Sequence, residues 1–575
     1  MKTNLLVLLA SLSINSLIQN VQAQEAPFRV DPTKRQFIDK FGRSVIFHGV
    51  NIVYKLDPFI PSRDKFDPQL SLTAEDIGNL KKWGLNLVRL GVMWEAVERT
   101  SGSYDQKYLD NIEKIINDLG KAGIYTMVDM HQDASSRRTC GEGIPNFLLN
   151  KDTVQHDCPS YFTSWITSQL GLFNKCKTMK SFDLKYDADG NPNLEDCTKR
   201  NFWDYYFTPE SQQLMRNIYE NIDGFQDKFV NYWTELGRRF ANNPYVVGFD
   251  PLNEPMPHAF DNPNYVLQDG LFDKEILQPL YKRVYDAFSQ TDKTKVMFFE
   301  PSQQGDMSGN DGGMVIPVGF TQPPGGSDKQ ATHTLNDHSY CCQFGVCSGA
   351  EPRVDQYAQC KKLHDYRIGT RNDDAKKMGI PLIISEFGAC FDGMECFKEI
   401  QATTEVCDDY LAHWVYWQFK NYKDITTSAQ SNYQGFYNKN GSLQTLKVKA
   451  ISRTYIKATQ GTLFSQKFDA ETYVFIGKFK YQSVVQAPTL IYYNKDYYQE
   501  LGRGYTLTIY DNSQAFLTVG KDYSVNDVSE NHVEINMLND KYTDEILMII
   551  FKPNTHGSAQ MEEEDDMENE KKFMM

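Results

Sequence analysis

The chain has 575 residues, is 41% hydrophobic and 13% aromatic, and carries a formal net charge of -15. Its length exceeds one ordinary domain and allows a large buried core. The acidic balance excludes nucleic acid and anionic membrane as partners held by charge.

The first 23 residues read as a secretory signal peptide. Lys2 supplies a small positive start, Leu5 to Leu12 a short apolar core, and Val21-Gln22-Ala23 a small residue at the cleavage point. Ser13, Asn15 and Ser16 interrupt the run, which is too short to span a bilayer. A secreted protein is the expectation. Eleven cysteines follow, all between Cys140 and Cys407. In an oxidising compartment they should mostly form disulfides, with pairings open and an odd one left over. A zinc site between His338 and Cys347 is the alternative. The oxidising compartment and a spacing that fits no standard ligand pattern argue against it.

Eight apolar runs are then spaced along the chain: Val45 to Asn51, Leu85 to Gly91, Ile124 to His131, Val246 to Glu254, Val296 to Glu300, Thr332 to Tyr340, Leu382 to Glu386 and Ala412 to Phe419. Amphipathic stretches separate them. Leu109, Ile112, Ile115, Ile116 and Leu119 recur at helical spacing between Tyr108 and Ala122. Strand alternating with helix predicts an α/β fold, a (β/α)8 TIM barrel over 24–458. A cysteine-bearing insertion over about 137–210 follows the third strand. It reads equally as a stapled surface excursion or as a wall over the cleft.

From about Gln460 the pattern changes. Thr472–Ile476, Thr489–Tyr493, Tyr505–Tyr510, Ala515–Val519 and Ile546–Phe551 are rich in β-branched and aromatic residues, with turn signals between. They predict a C-terminal antiparallel β-sandwich over 459–554, a buttress more than a sugar-binding surface. The run Glu562 to Glu568 makes 555–575 an acidic, disordered tail. Asn440-Gly441-Ser442 is a glycosylation sequon in an expected loop.

Polar residues gather where the eight runs stop: Arg89, His131, Asp133, Asn253, Glu254, Glu300, His338, Tyr340, Glu386 and Trp417. In such a barrel the C-terminal rim carries the chemistry. Two glutamates on separate strands are what a retaining glycosidase needs, one as proton donor and one as nucleophile. Glu254, beside Asn253, suits the acid/base; Pro255 should keep it out of helical dihedrals. Glu386 suits the nucleophile, held ionised by Arg89 and oriented by the Tyr340 hydroxyl. The two carboxyls should stand about 5 to 5.5 Å apart. Taken singly, each residue has a plainer reading: Asn-Glu-Pro as a turn, His131 as a structural histidine, Asp133 as a cap, Trp417 as core. The combination on ordered strands favours catalysis.

In this order the residues resemble the pattern of glycoside hydrolase family 5, at Arg89, His131, Asn253, Glu254, His338, Tyr340, Glu386 and Trp417. The stretches Gly49–Lys55, Asn86–Trp94, Asp129–Asp133, Cys140–Gly143, Asn336–Cys342 and Tyr416–Lys420 resemble endoglycoceramidases within it. The resemblance implies hydrolysis of the bond between oligosaccharide and ceramide in glycosphingolipids, without cofactor or metal. It implies His338 in the catalytic group and substrate contacts from Lys55, His131, Asp133, Asn253 and Trp417. It also implies an apolar channel for ceramide and leaves room for transient contact with a membrane or micelle surface. The rivals are a glucosylceramidase or steryl-glucosidase-like enzyme, an endo-β-glucanase, and a silent glycolipid-binding protein.

Overall fold

The computed structural model describes residues 27–149, 158, 176–302, 315–341, 352–426, 434–502, 504–529 and 531–554. The expected signal peptide, the acidic tail, Cys342 and Cys347 lie outside them. Three short strands open the chain, β1 (Phe28–Asp31), β2 (Gln36–Asp39) and β3 (Ser44–Val45). Eight parallel strands follow: β4 (His48–Ile52), β5 (Leu87–Gly91), β6 (Tyr125–Asp129), β7 (Val246–Asp250), β8 (Val296–Phe299), β9 (His333–Ser339), β10 (Leu382–Phe387) and β11 (His413–Tyr416). They close into a barrel in chain order, β11 pairing back onto β4. Each of the eight apolar runs contributes one of these strands, so the barrel expected from sequence is present.

The strands are buried on both faces, which is why they read as near-continuous apolar runs rather than as alternating ones. Helices cover the outside. Gln106–Lys121 begins at Asp105, whose side chain accepts from the Tyr108 amide, and it buries Leu109, Ile112, Ile115, Ile116 and Leu119 against the barrel. β7 stops at Asp250, one residue before Pro251, which has no amide hydrogen to give a neighbouring strand.

After the barrel come β12 (Tyr455–Thr459), β13 (Gly461–Phe468), β14 (Phe475–Tyr481), β15 (Thr489–Tyr492), β16 (Tyr505–Tyr510), β17 (Tyr523–Ser529), β18 (His532–Met537) and β19 (Ile546–Pro553). They form two antiparallel sheets, of order β1-β2-β3-β12-β15-β18-β17 and β13-β14-β19-β16. Three details differ from the sequence reading. Both ends of the chain build the larger sheet, and β12 straddles the boundary placed at 458/459. Ala515–Val519 is a loop with single bridges from Phe516 to Tyr510 and from Val519 to Tyr523. The Thr472–Ile476 run is mostly the turn ahead of β14.

The opening strands plug the floor of the barrel. Phe28, Phe37 and Val45 pack with Phe47, Phe298, Ile383 and Val415 in one apolar cluster. Disulfides join Cys140 to Cys197, Cys158 to Cys176, Cys341 to Cys360 and Cys390 to Cys396, while Cys407 keeps a buried free thiol. Cys341 is thus committed to a bridge, which removes it from the zinc alternative.

Barrel and sandwich meet at Gly84. Tyr455 and Tyr492 donate their hydroxyls to the carbonyls of Gly84 and Lys82, each at 2.8 Å. Gly84 sits at φ +83°, and a Cβ there would lie 2.4 Å from the Tyr492 ring. Gly84→Ala should cost about 2–4 kcal/mol, from the left-handed backbone and the overlap together. Gly102→Ala, with φ +77° but nothing within 4 Å, should cost about 1 kcal/mol. Urea unfolding of both variants checks the difference.

Candidate active site

The C-terminal ends of the barrel strands converge on one guanidinium. Arg89, on β5, is fully buried. Its Nε donates to Asp250 Oδ2 (2.8 Å), and Nη1 donates to Glu386 Oε1 (2.7 Å) and Asn51 Oδ1 (3.3 Å). Nη2 donates to Asn253 Oδ1 (2.9 Å), Asp129 Oδ1 (3.0 Å) and Glu300 Oε1 (3.2 Å). Four carboxylates from four strands thus share one cation. Burial works against Arg89's charge, but Asp129, Asp250, Glu386 and Glu300 hold it well above its ordinary value. Burial, with Glu300 and Asp129 close by, pushes Asp250 well up despite Arg89.

Glu386 and Glu254 face each other across this base. One carboxylate oxygen of each lies within 4.8 Å of the other. Tyr340 donates its hydroxyl to Glu386 Oε2 at 2.9 Å, while Arg89 holds Oε1. Burial raises the Glu386 carboxyl, against the pull of His338, Arg89 and His131. His338 Nδ1 lies 2.7 Å from Glu254 Oε1 and 3.6 Å from Glu386 Oε2. Its Nε2 lies 3.1 Å from Ser385 Oγ and 3.3 Å from Glu300 Oε1. Burial opposes protonation of His338, yet Glu300, Glu386 and Glu254 hold it well above 6.5. One ligand atom each of Glu254, His338 and Glu386 lies within 4.8 Å of the other two. Glu254 and Glu386 keep 9% and 5% exposure, against 0% for Arg89 and His338. Solvent therefore reaches the two carboxylates and the half-buried Tyr340 but not Arg89 or His338.

Glu254 departs from the extended backbone expected before proline. Its φ is +42°, a left-handed setting that costs a non-glycine residue about 1–2 kcal/mol. Glu300 Oε2 accepts its backbone N–H at 3.0 Å. Asn253 is locked beside it, its Oδ1 on Arg89 and its Nδ2 donating to the Gln132 carbonyl at 3.1 Å.

A second polar group lies toward the insertion. Lys55 is fully buried. It donates to Asp133 and, at 2.7 Å, to Thr426 Oγ1, and it stands 3.1 Å from Glu142 and 3.3 Å from Asp424. Burial opposes its charge, but Asp133, Asp424 and Glu142 hold it well above 10.5. Tyr206, from the insertion, donates to Asp133 Oδ1 at 2.7 Å. The insertion is therefore part of the site wall. His131 Nδ1 pairs with Asp129 at 2.9 Å; burial opposes its protonation, and Asp129 and Asp133 raise it to about 9. Trp417 stacks on His131 with centroids 5.1 Å apart, and Lys55 Nζ lies 5.0 Å from its ring centre. Only 1% of Trp417 is exposed, so a pyranose stacked on it would displace one of these two.

All ten expected site residues fall in this one mouth, Lys55, Asp133, His131 and Trp417 on one side and the rest around Arg89. Sequence reading gave no role to Asp129, Asp250, Glu300, Ser385, Glu142, Asp424 or Tyr206. Asp129, Asp250 and Glu300 end or follow strands, a signal that was legible. Tyr206 ends a short helix, Trp203–Tyr206, within the insertion, and Asp424 lies in a loop; neither context announces a role. Arg89→Met strips the cation from four buried carboxylates and should cost about 3–5 kcal/mol at pH 8. The loss should shrink at pH 5, where the stranded carboxylates take up protons more readily in the folded variant than in the unfolded chain. Urea unfolding at the two pH values measures it.

Known proteins are similar to this chain. An endoglycoceramidase of Hydra vulgaris is 29% identical over 480 residues, 83% of each chain. One of Cyanea nozakii is 26% identical over 486 residues, 84% of this chain and 86% of that one. The structure of endo-glycoceramidase II from Rhodococcus sp. with ganglioside GM3 superposes with a TM-score of 0.65 at 19% identity, over 90% of this chain and 99% of that one. The cellulase family, glycosyl hydrolase family 5, matches residues 46–169 and 204–423, more than half of the sequence. With that match laid over a closed eight-stranded barrel, the chain belongs to glycosyl hydrolase family 5.

Proposed function

We propose that the protein is a secreted retaining endoglycoceramidase that cuts glycosphingolipids between oligosaccharide and ceramide. The observation that carries the reaction class is the approach of Glu254 and Glu386 to within 4.8 Å. That bound on one oxygen pair is compatible with the roughly 5–5.5 Å carboxyl separation used for covalent retention. Likeness to endoglycoceramidases along 83% of the chain supports the substrate. The N-terminal apolar segment and the four disulfides among the described residues support secretion. No helix among those residues is long and apolar enough to cross a membrane.

In the first step a Glu386 oxygen attacks the anomeric carbon. Arg89 and Tyr340 hold one oxygen each, which orients the carboxylate and favours its ionised form against the effect of burial. Glu254 gives its proton to the departing ceramide oxygen, and a glycosyl ester forms on Glu386. Esterification removes a negative charge 3.6 Å from His338, which also bonds Glu254. Glu254, now anionic, takes a proton from water as that water attacks the anomeric carbon and frees Glu386. Lys55, Asp133, His131 and Asn253 offer the donors and acceptors that fix the sugar.

Product analysis on a fluorescent glycosphingolipid in detergent micelles tests this. Wild type should release the whole oligosaccharide and intact ceramide. Glu386→Gln should lose about 10⁴-fold or more in kcat, an effect on the scale of removing a covalent nucleophile. Equal release by that variant, or release of free glucose from glucosylceramide alone, would contradict the proposal.

A further inference from the structure

Glu300 follows β8 and has no part in the double displacement as written. Its carboxylate is nevertheless fully buried and saturated with donors. Oε2 accepts the Glu254 backbone N–H at 3.0 Å. Oε1 accepts from Arg89 Nη2 and from Asn336 Nδ2, each at 3.2 Å, and stands 3.3 Å from His338 Nε2. The opposite nitrogen of that imidazole lies 2.7 Å from the Glu254 carboxylate. Glu254 is thus gripped at two points, backbone and carboxylate, and Glu300 touches both grips.

We propose that Glu300 is a positioning residue that aims the Glu254 carboxyl at the leaving oxygen. The inference rests on the reading of Glu254 as the acid. The backbone geometry argues for it. Glu254 is held at φ +42°, while the proline after it favours extended backbone. The local chain therefore works against the observed setting, and the charge-assisted bond from Glu254 N–H to Glu300 counters that tendency. The imidazole fixes the other end of the side chain, facing Glu254, Glu300, Glu386 and Ser385 from four different positions in the mouth. Both Glu300 oxygens face donors. A glutamine there has one acceptor only, so its amide NH₂ must oppose either the Glu254 N–H or the donors of Arg89, Asn336 and His338. An aspartate keeps two acceptors and the charge but is one methylene short.

The leaving group separates positioning of the acid from a merely structural role. Ceramide leaves as a poor alkoxide and needs a proton, whereas dinitrophenolate leaves without one. kcat/KM, which reports steps through formation of the glycosyl ester, is measured for wild type, Glu300→Gln and Glu300→Asp. The substrates are a glycosphingolipid and 2,4-dinitrophenyl β-lactoside, with thermal unfolding as the check of fold. Both variants should lose about 30- to 100-fold on the glycolipid, part of the 10²–10⁴ that a general acid supplies, through kcat more than KM. On the aryl lactoside they should lose less than about 5-fold. Equal losses on both substrates, unchanged kinetics on both, or failure of both variants to fold would overturn the proposal. Glu254→Gln runs alongside: if it shows no leaving-group split, the acid assignment itself falls, whatever Glu300 does.

Discussion

The whole mouth of the barrel is organised by the Arg89 guanidinium. Its planar donor fork reaches four carboxylates and two amides, contributed by six different positions around the rim. A lysine offers one point charge on a flexible stem and could not hold so many partners in fixed directions. Because carboxylates outnumber the guanidinium, the surplus negative charge settles elsewhere. It pushes His338 and His131 toward their protonated forms and, together with burial, Asp250 toward its neutral form. His338 in turn lies between Glu254 and Glu386, the two groups to which the chemistry is assigned. One buried cation therefore sets the positions of what surrounds it, while burial and the neighbouring carboxylates set the charge states.

That arrangement needs a rigid frame, and the fold supplies it from below. Phe28 and Phe37, from the first strands of the chain, fill the floor of the barrel, and the sheet that carries them continues into the C-terminal sandwich. The barrel is closed at one end and loaded with polar groups at the other. On the rim side the Cys140–Cys197 bridge ties the start of the insertion to its later part, whose Tyr206 meets Asp133. The same loop carries Glu142 to Lys55. The insertion is built into the site through these contacts.

How much of this was legible in the sequence follows from the distance over which each feature is determined. A barrel strand is a local event, a short apolar run with a polar residue at its end, so the eight strands and their rim residues could be read one by one. The sandwich is not local. Ser44 and Val45 pair with Thr459 and Ala458, more than four hundred positions away, and nothing near them announces it. Ala515–Val519 has the composition of a strand but lies in a loop behind the Asp511 turn, where the Asp511 side chain takes the amides of Ser513 and Ala515. The left-handed backbone of Glu254 was hidden for a related reason: local preference points to extended chain, and a carboxylate from the next strand overrides it. Glu300 looked like one more acidic strand end until its four donors were in view.

The central claim is that Glu386 becomes covalently bonded to the sugar. Trapping is its most direct test: the protein is incubated with a 2-deoxy-2-fluoro glycosyl donor bearing a good leaving group, digested, and the labelled peptide sequenced by mass spectrometry. The account predicts one ester-linked sugar per chain, on Glu386. A label on another side chain, or turnover with inverted anomeric configuration and no adduct, would contradict it.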